Sequence, residues 1–143
     1  MVITPSEWRV QPWKNGRGVT SEVIRLPDVD AYELRISVAD VTESGPFSTF
    51  PGYTRWSLLL EGGPIWLAGQ QLATLFELDG SQSIDARVEA PARLLNILGR
   101  GIRVGRGDAD QADLAFGLDD RVTHVFDVPM RVTGNVVWIK RSA

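Results

Sequence analysis

Tyr32-Glu33-Leu34-Arg35-Ile36-Ser37-Val38 alternates apolar and polar side chains without a break. Successive side chains of an extended strand point to opposite faces. Tyr32, Leu34, Ile36 and Val38 therefore form one apolar face, and Arg35 and Ser37 share the other. Similar patterning predicts strands over Ser21–Leu26, Trp56–Leu60, Arg93–Leu98 and Val122–Val128. Turn residues stand between strand candidates. Ala68-Gly69 is read as joining Ile65–Leu67 to Leu72–Phe76, Asp79-Gly80 as joining Phe76–Leu78 to Ser83–Val88, and Gly134-Asn135 as joining Arg131–Thr133 to Val136–Ile139. Pro129, which cannot donate a ladder hydrogen bond, is expected at a break or an edge. No stretch holds a helical period over three turns, and only Ala109–Leu118 offers room for a short helical segment. Many short strands joined by Gly/Pro turns predict an all-β sandwich or barrel.

The 143 residues suit one domain, expected to span 1–143. A hydrophobic fraction of 43% and a charged fraction of 23% are those of a globular chain. A net charge of −3 argues against nucleic acid as a partner, because that binding needs a clustered basic surface. With no cysteine, disulfides, thiolate zinc sites and cysteine nucleophiles are excluded. Met1–Trp8 lacks the pattern of a secretory signal, and the apolar runs fall far short of the ~20 residues that span a bilayer. A cytoplasmic location without membrane contact is the expectation.

His124 is the only histidine, so the paired histidines of open zinc and iron sites are not available. No serine lies in a Gly-x-Ser-x-Gly elbow and no calcium-loop spacing is present, so no cofactor is expected. Gly99–Asp108 carries three arginines among glycines, but it lacks Gly-Lys-Ser/Thr and a strand leading into a helix. It is read as a flexible, solvated connection. Trp56 and Trp66 are assigned to the core. Trp13 differs, because it precedes Lys14-Asn15-Gly16-Arg17-Gly18, whose glycines permit a tight bend and close approach of a ligand; a purely structural loop is the competing reading.

Three blocks carry a resemblance. They are Pro12–Glu22; Leu34–Val41 followed by Gly45-Pro46-Phe47-Ser48-Thr49-Phe50-Pro51-Gly52 and Arg55; and Leu60-Glu61-Gly62 with Leu95-Asn96-Ile97-Leu98. In this order and spacing the chain resembles the HutD/Ves family. Arg17, Leu34 and Leu95 depart from it, standing where glycine, tryptophan and aspartate are common. The resemblance implies a cupin-type, RmlC-like β-barrel, bicupin-like with an abbreviated second half. It also implies company with histidine-utilisation genes. Metal cupins place His-x-His after a Pro-Gly turn, whereas Pro51-Gly52 is followed here by Tyr53-Thr54-Arg55-Trp56-Ser57, and Arg93-Leu94-Leu95 precedes Asn96. The expected ligand site gathers Trp13, Asn15, Gly16, Thr20, Glu22, Arg35, Ser37, Arg55 and Asn96 for a small carboxylate or polar metabolite. The expected function is binding or sensing without a histidine-based metal site, with a regulatory place in histidine or amino-acid catabolism. A homodimer is left open. The alternatives are a metal-free isomerase, epimerase or lyase, with Glu22 as base and Arg35 holding the anion, and a structural partner protein.

Overall fold

A computed structural model describes residues 1–141. Apart from one 3-10 turn at Pro5–Glu7, the regular structure among the described residues is strand. In chain order the strands are β1 (Val2–Ile3), β2 (Arg9–Pro12), β3 (Gly18–Leu26), β4 (Leu34–Val41), β5 (Gly45–Phe47), β6 (Thr54–Gly62), β7 (Ile65–Leu67), β8 (Gln70–Gln71), β9 (Phe76–Asp79), β10 (Ile84–Val88), β11 (Ala92–Gly99), β12 (Ile102–Arg106), β13 (Ala109–Gly117), β14 (Thr123–Val132) and β15 (Val136–Arg141). They pack as two compact units: Arg9–Arg100, and Met1–Trp8 together with the chain from Gly101 onward. No helix among the described residues is long and apolar enough to cross a membrane.

In the unit of residues 9–100, a six-stranded sheet runs β2-β3-β4-β11-β6-β9 and a four-stranded sheet runs β5-β10-β7-β8. The larger sheet is antiparallel throughout, and its registers align the side chains into rows. One row pairs Val41 with Ala92, and another joins Ala39, Leu94 and Leu59. Further along the same face come Glu22, Ser37, Asn96 and Ser57, then Arg35, Leu98 and Arg55. Period-2 geometry thus gives one face an apolar end and a polar end. Ile65, Leu67, Ile84 and Ala86 of the smaller sheet pack on the apolar end, with Val41, Ala39, Ala92 and Leu94, as a buried core. Leu34, Ile36, Leu95 and Ile97 lie on the opposite face, each almost wholly buried.

The other unit contains a five-stranded sheet ordered β1-β14-β13-β15-β12. Ala112, Ala115 and Val132 are buried on it, with Phe126, Val136 and Trp138 packed alongside.

Several local expectations are corrected. Ala68-Gly69 does reverse the chain, but the returning strand is only Gln70–Gln71, not Leu72–Phe76. Asp79-Gly80 is no hairpin: β9 pairs with β6, whereas β10 pairs with β5 and β7 in the other sheet. The Gly80 peptide bonds instead to Phe50 and Tyr53, which makes this turn a crossing point. Gly134-Asn135 likewise joins strands that are not paired, because β13 lies between β14 and β15. Turn residues specify a change of direction, and partner choice follows from burial elsewhere. Ala109–Leu118 is strand in all but its last residue, with Ala112, Leu114 and Phe116 turned inward. Gly99–Asp108 is not a flexible connection, since Ile102–Arg106 forms the ordered strand β12 against β15. Pro129 lies inside β14 and ends no strand, but it does stand at a break in the ladder, where the register against β13 shifts between Val125 and Met130.

Candidate functional site

The Trp13–Gly18 turn forms one wall of the site. The Trp13 N–H donates to the Gly18 carbonyl at 2.9 Å, the Gly16 N–H to the Trp13 carbonyl at 3.1 Å, and the Arg17 N–H to Asn15 Oδ1 at 2.9 Å. Gly16 supplies the left-handed corner at φ +71°. Gly18 is required for space: a Cβ there would stand 2.5 Å from the Asp40 carbonyl oxygen and 2.9 Å from the Trp13 ring. The indole therefore lies flat over the start of β3. Its Nε1–H donates to the Thr20 hydroxyl at 2.7 Å, and its ring meets Phe47 edge-on at 5.8 Å.

Behind this wall, at the polar end of the six-stranded sheet, is a cavity of about 520 Å³, a size suited to a small organic ligand. Trp13, Phe47, Phe50 and Leu98 give it apolar walls, and Thr20, Ser37, Asn15 and Asn96 add polar groups. Lys14, Arg35 and Arg55 are its charged residues, and no Asp or Glu among the described residues lines it. A cationic cavity in a chain of net charge −3 is a local feature, placed by three specific side chains.

Arg55 is the unusual one. It is 6% exposed, and its Nε has no hydrogen-bond partner. Its one hydrogen bond among the described residues is a long 3.5 Å contact from Nη2 to the Ser48 carbonyl. The guanidinium lies 5.1 Å from the ring centre of Phe50 and 5.6 Å from that of Phe47, contacts that only partly replace water. Burial pushes its pKa down to about 10; Tyr32 opposes that fall and the charge of Arg35 adds to it. A buried cation without a counter-charge is costly to maintain. Arg35, by contrast, gives its Nε–H to Glu22 at 2.8 Å.

Of the residues expected at the site, Trp13, Asn15, Thr20, Arg35, Ser37, Arg55 and Asn96 line this one cavity. Two do not. Gly16 shapes the turn, and Glu22 is turned to guanidinium groups, Arg9 on Oε1 and Arg35 on Oε2. A carboxylate clamped in this way does not line the cavity although it stands on the same sheet face, so its reading as a base loses its geometric footing. Lys14, Phe47, Ser48 and Phe50 also line the cavity and were not among the expected site residues. The Gly45–Gly52 block contained the last three, and spacing alone gave no sign that they converge on Arg55. Ser57 was missed as well; its signal is the i, i+2 relation to Arg55 on β6.

The metal expected of a cupin finds no donors here. The strand after Pro51-Gly52 presents Arg55 and Ser57 on the inner face, a cation and a hydroxyl. Among the described residues no cluster of His, Asp and Glu is arranged to hold a metal ion. His124 lies in the other unit, exposed and stacked on Phe126.

A family model described as HutD matches residues 5–126. The chain is 49% identical over 63 residues to an uncharacterised 21.2 kDa protein in the hutC 3' region of Pseudomonas putida, a match covering 43% of this chain and 33% of that relative. It is 41% identical over 61 residues to Protein Ves of Citrobacter koseri, covering 42% of this chain and 32% of that protein. The matched stretch is thus about a third of the length of these curated relatives. Among solved structures, HutD from Pseudomonas fluorescens SBW25 superposes with a TM-score of 0.79 at 23% identity, covering 98% of this chain and 96% of that one. A Ralstonia eutropha protein with a cupin-like fold gives a TM-score of 0.50 at 9% identity, covering 94% and 75%. The fold is all-β and of cupin type, with two sheets packed face to face in the unit of residues 9–100, and the chain belongs to the HutD family.

Proposed function

We propose that the protein binds a small organic carboxylate in the cavity of residues 9–100 and acts as a binding or sensing protein. One observation carries this reading: the Arg55 guanidinium is buried and, among the described residues, lacks a carboxylate partner and lines a cavity without acidic residues. A planar carboxylate matches a guanidinium fork in both charge and shape. The rings of Trp13, Phe47 and Phe50 would hold the apolar part of such a ligand. A relative encoded in the hutC 3' region supports a regulatory place in histidine or amino-acid catabolism.

Thermal unfolding with acetate, propanoate, benzoate and 3-phenylpropanoate tests the proposal, using wild type and Arg55→Met. A ligand that binds only the folded state raises the unfolding temperature with its concentration. Wild type should respond to at least one acid and Arg55→Met to none. An equal response from the variant, or silence from wild type across the series, would refute the assignment.

A further inference from the structure

We infer that the cavity offers hydrogen-bond donors almost exclusively, so that it takes organic acids and rejects the α-amino acids of the same skeleton, with the Ser57–Asn96 pair setting that preference. This rests on the carboxylate reading above and adds what the ligand must lack.

The inference comes from following each acceptor at the site. Ser57 is fully buried, and its hydroxyl donates to Asn96 Oδ1 at 2.6 Å. An amide carries its acceptor oxygen and its donor nitrogen in one plane, on opposite edges of the group. With Oδ1 committed to Ser57, Asn96 is left with its Nδ2 group to meet the cavity. Asn15 repeats the arrangement, because its Oδ1 accepts the Arg17 N–H. Thr20 accepts the Trp13 indole N–H, which leaves its own O–H to donate. Arg35, Arg55 and Lys14 have only donors. Three protein donors thus already engage the acceptor oxygens of three residues that line the cavity, each taking one of the oxygen's two lone pairs, and no carboxylate among the described residues stands on its wall. Only the Ser37 and Ser48 hydroxyls and Gln11 remain free to adapt.

An α-ammonium entering this space brings three more N–H donors and a positive charge. It would meet guanidinium groups of the same sign and no anion. Leaving a buried charge unmatched disfavours binding strongly, whereas the acid without the ammonium brings only acceptors to the donors it faces. Ser57 and Asn96 are positioning and specificity residues in this scheme.

The test compares 3-phenylpropanoate with L-phenylalanine, and propanoate with L-alanine, by calorimetric titration of the full chain. Wild type should favour each acid over its amino acid by at least about tenfold, as expected where a polar group is left unpaired. Asn96→Asp places an anion on the cavity floor and should bring the ratio to about one or reverse it. Ser57→Ala releases the amide to turn over and should lower the ratio at least about threefold while binding of the acid persists. Circular dichroism identifies a variant that has not folded, and Ser57→Ala then carries the test alone. Equal affinity for acid and amino acid in wild type, or an unchanged ratio in a folded Asn96→Asp or Ser57→Ala, would overturn this inference and leave carboxylate binding standing. Failure of both acids to bind wild type would overturn the carboxylate reading and this one with it.

Discussion

In the unit of residues 9–100, Asn96 sits mid-sheet between Ser37 and Ser57; in the other unit, Trp138 sits between Ala115 and Gly105. Both rows set a larger side chain between two small ones, with opposite results. The Trp138 indole lies directly on β12, so that a Cβ on Gly105 would come within 2.1 Å of it. It packs beside Ala112, Ala115 and Val132, and Lys140 covers it at 4.9 Å from a ring centre. Asn96 instead bends to Ser57, and the space above it stays open as the cavity. The aromatic rings of that cavity arrive from its rim, Trp13 from the turn before β3 and Phe47 from β5. Whether a face closes or becomes a site depends on whether its large ring springs from the middle of the sheet or from the edge.

Removing the central ring should do the most damage. Trp138→Ala leaves two small neighbours with nothing above them and should cost about 3 kcal/mol, the lower end for an aromatic truncation because the ring is half-buried. Thermal or urea unfolding measures it, and a loss below about 1 kcal/mol would mean the ring closes nothing.

Arg55→Met should act in the opposite direction. An apolar side chain of similar length replaces an uncompensated charge, so the unliganded protein should gain about 1–2 kcal/mol. With its folded-state pKa lowered by burial to about 10, Arg55 imposes its full penalty below that pH, and the penalty fades as pH rises above it. The advantage of the variant should therefore be level through neutral pH and shrink above pH 10. Paired unfolding curves at pH 7 and pH 10.5 would show it. A variant less stable than wild type at pH 7 would mean that Arg55 is already satisfied.

Thr20→Val is the mildest change. It removes the acceptor of the Trp13 indole and should cost about 1 kcal/mol. Carboxylate affinity should fall a few-fold as the wall loosens, read by titration against wild type; unchanged affinity would show that the ring is held by packing alone.

The strands were the most legible feature in the sequence. In Tyr32–Val38 alternation gave the facing directly, and Arg35 and Ser37 share the cavity lining while Leu34 and Ile36 lie on the opposite face. The hairpins at Asp79-Gly80 and Gly134-Asn135 were misread because a turn records only that the chain bends. Its next strand joined another sheet in one case and the far side of β13 in the other. β13 escaped because Asp110, Asp113 and Gly117 resemble loop chemistry until Ala112, Leu114 and Phe116 are seen buried against their neighbours. At the site, residue types in the shared blocks located seven of the lining residues, Trp13, Asn15, Thr20, Arg35, Ser37, Arg55 and Asn96. Glu22 could not be separated from it by sequence, since only the fold brings Arg9 and Arg35 to its two oxygens.

Gly18 bears on how this chain can diverge over generations. Arg17 shows that the neighbouring position accepts a large residue: its side chain turns outward, against Gly45, and donates to the Ser44 carbonyl. At Gly18 even one methyl group would have to displace either the β4 backbone or the Trp13 indole. Changes at position 17 can therefore accumulate as surface variation, while any change at 18 is passed straight to the wall of the cavity. A descendant with a new ligand is more readily reached through that one glycine than through the arginine beside it.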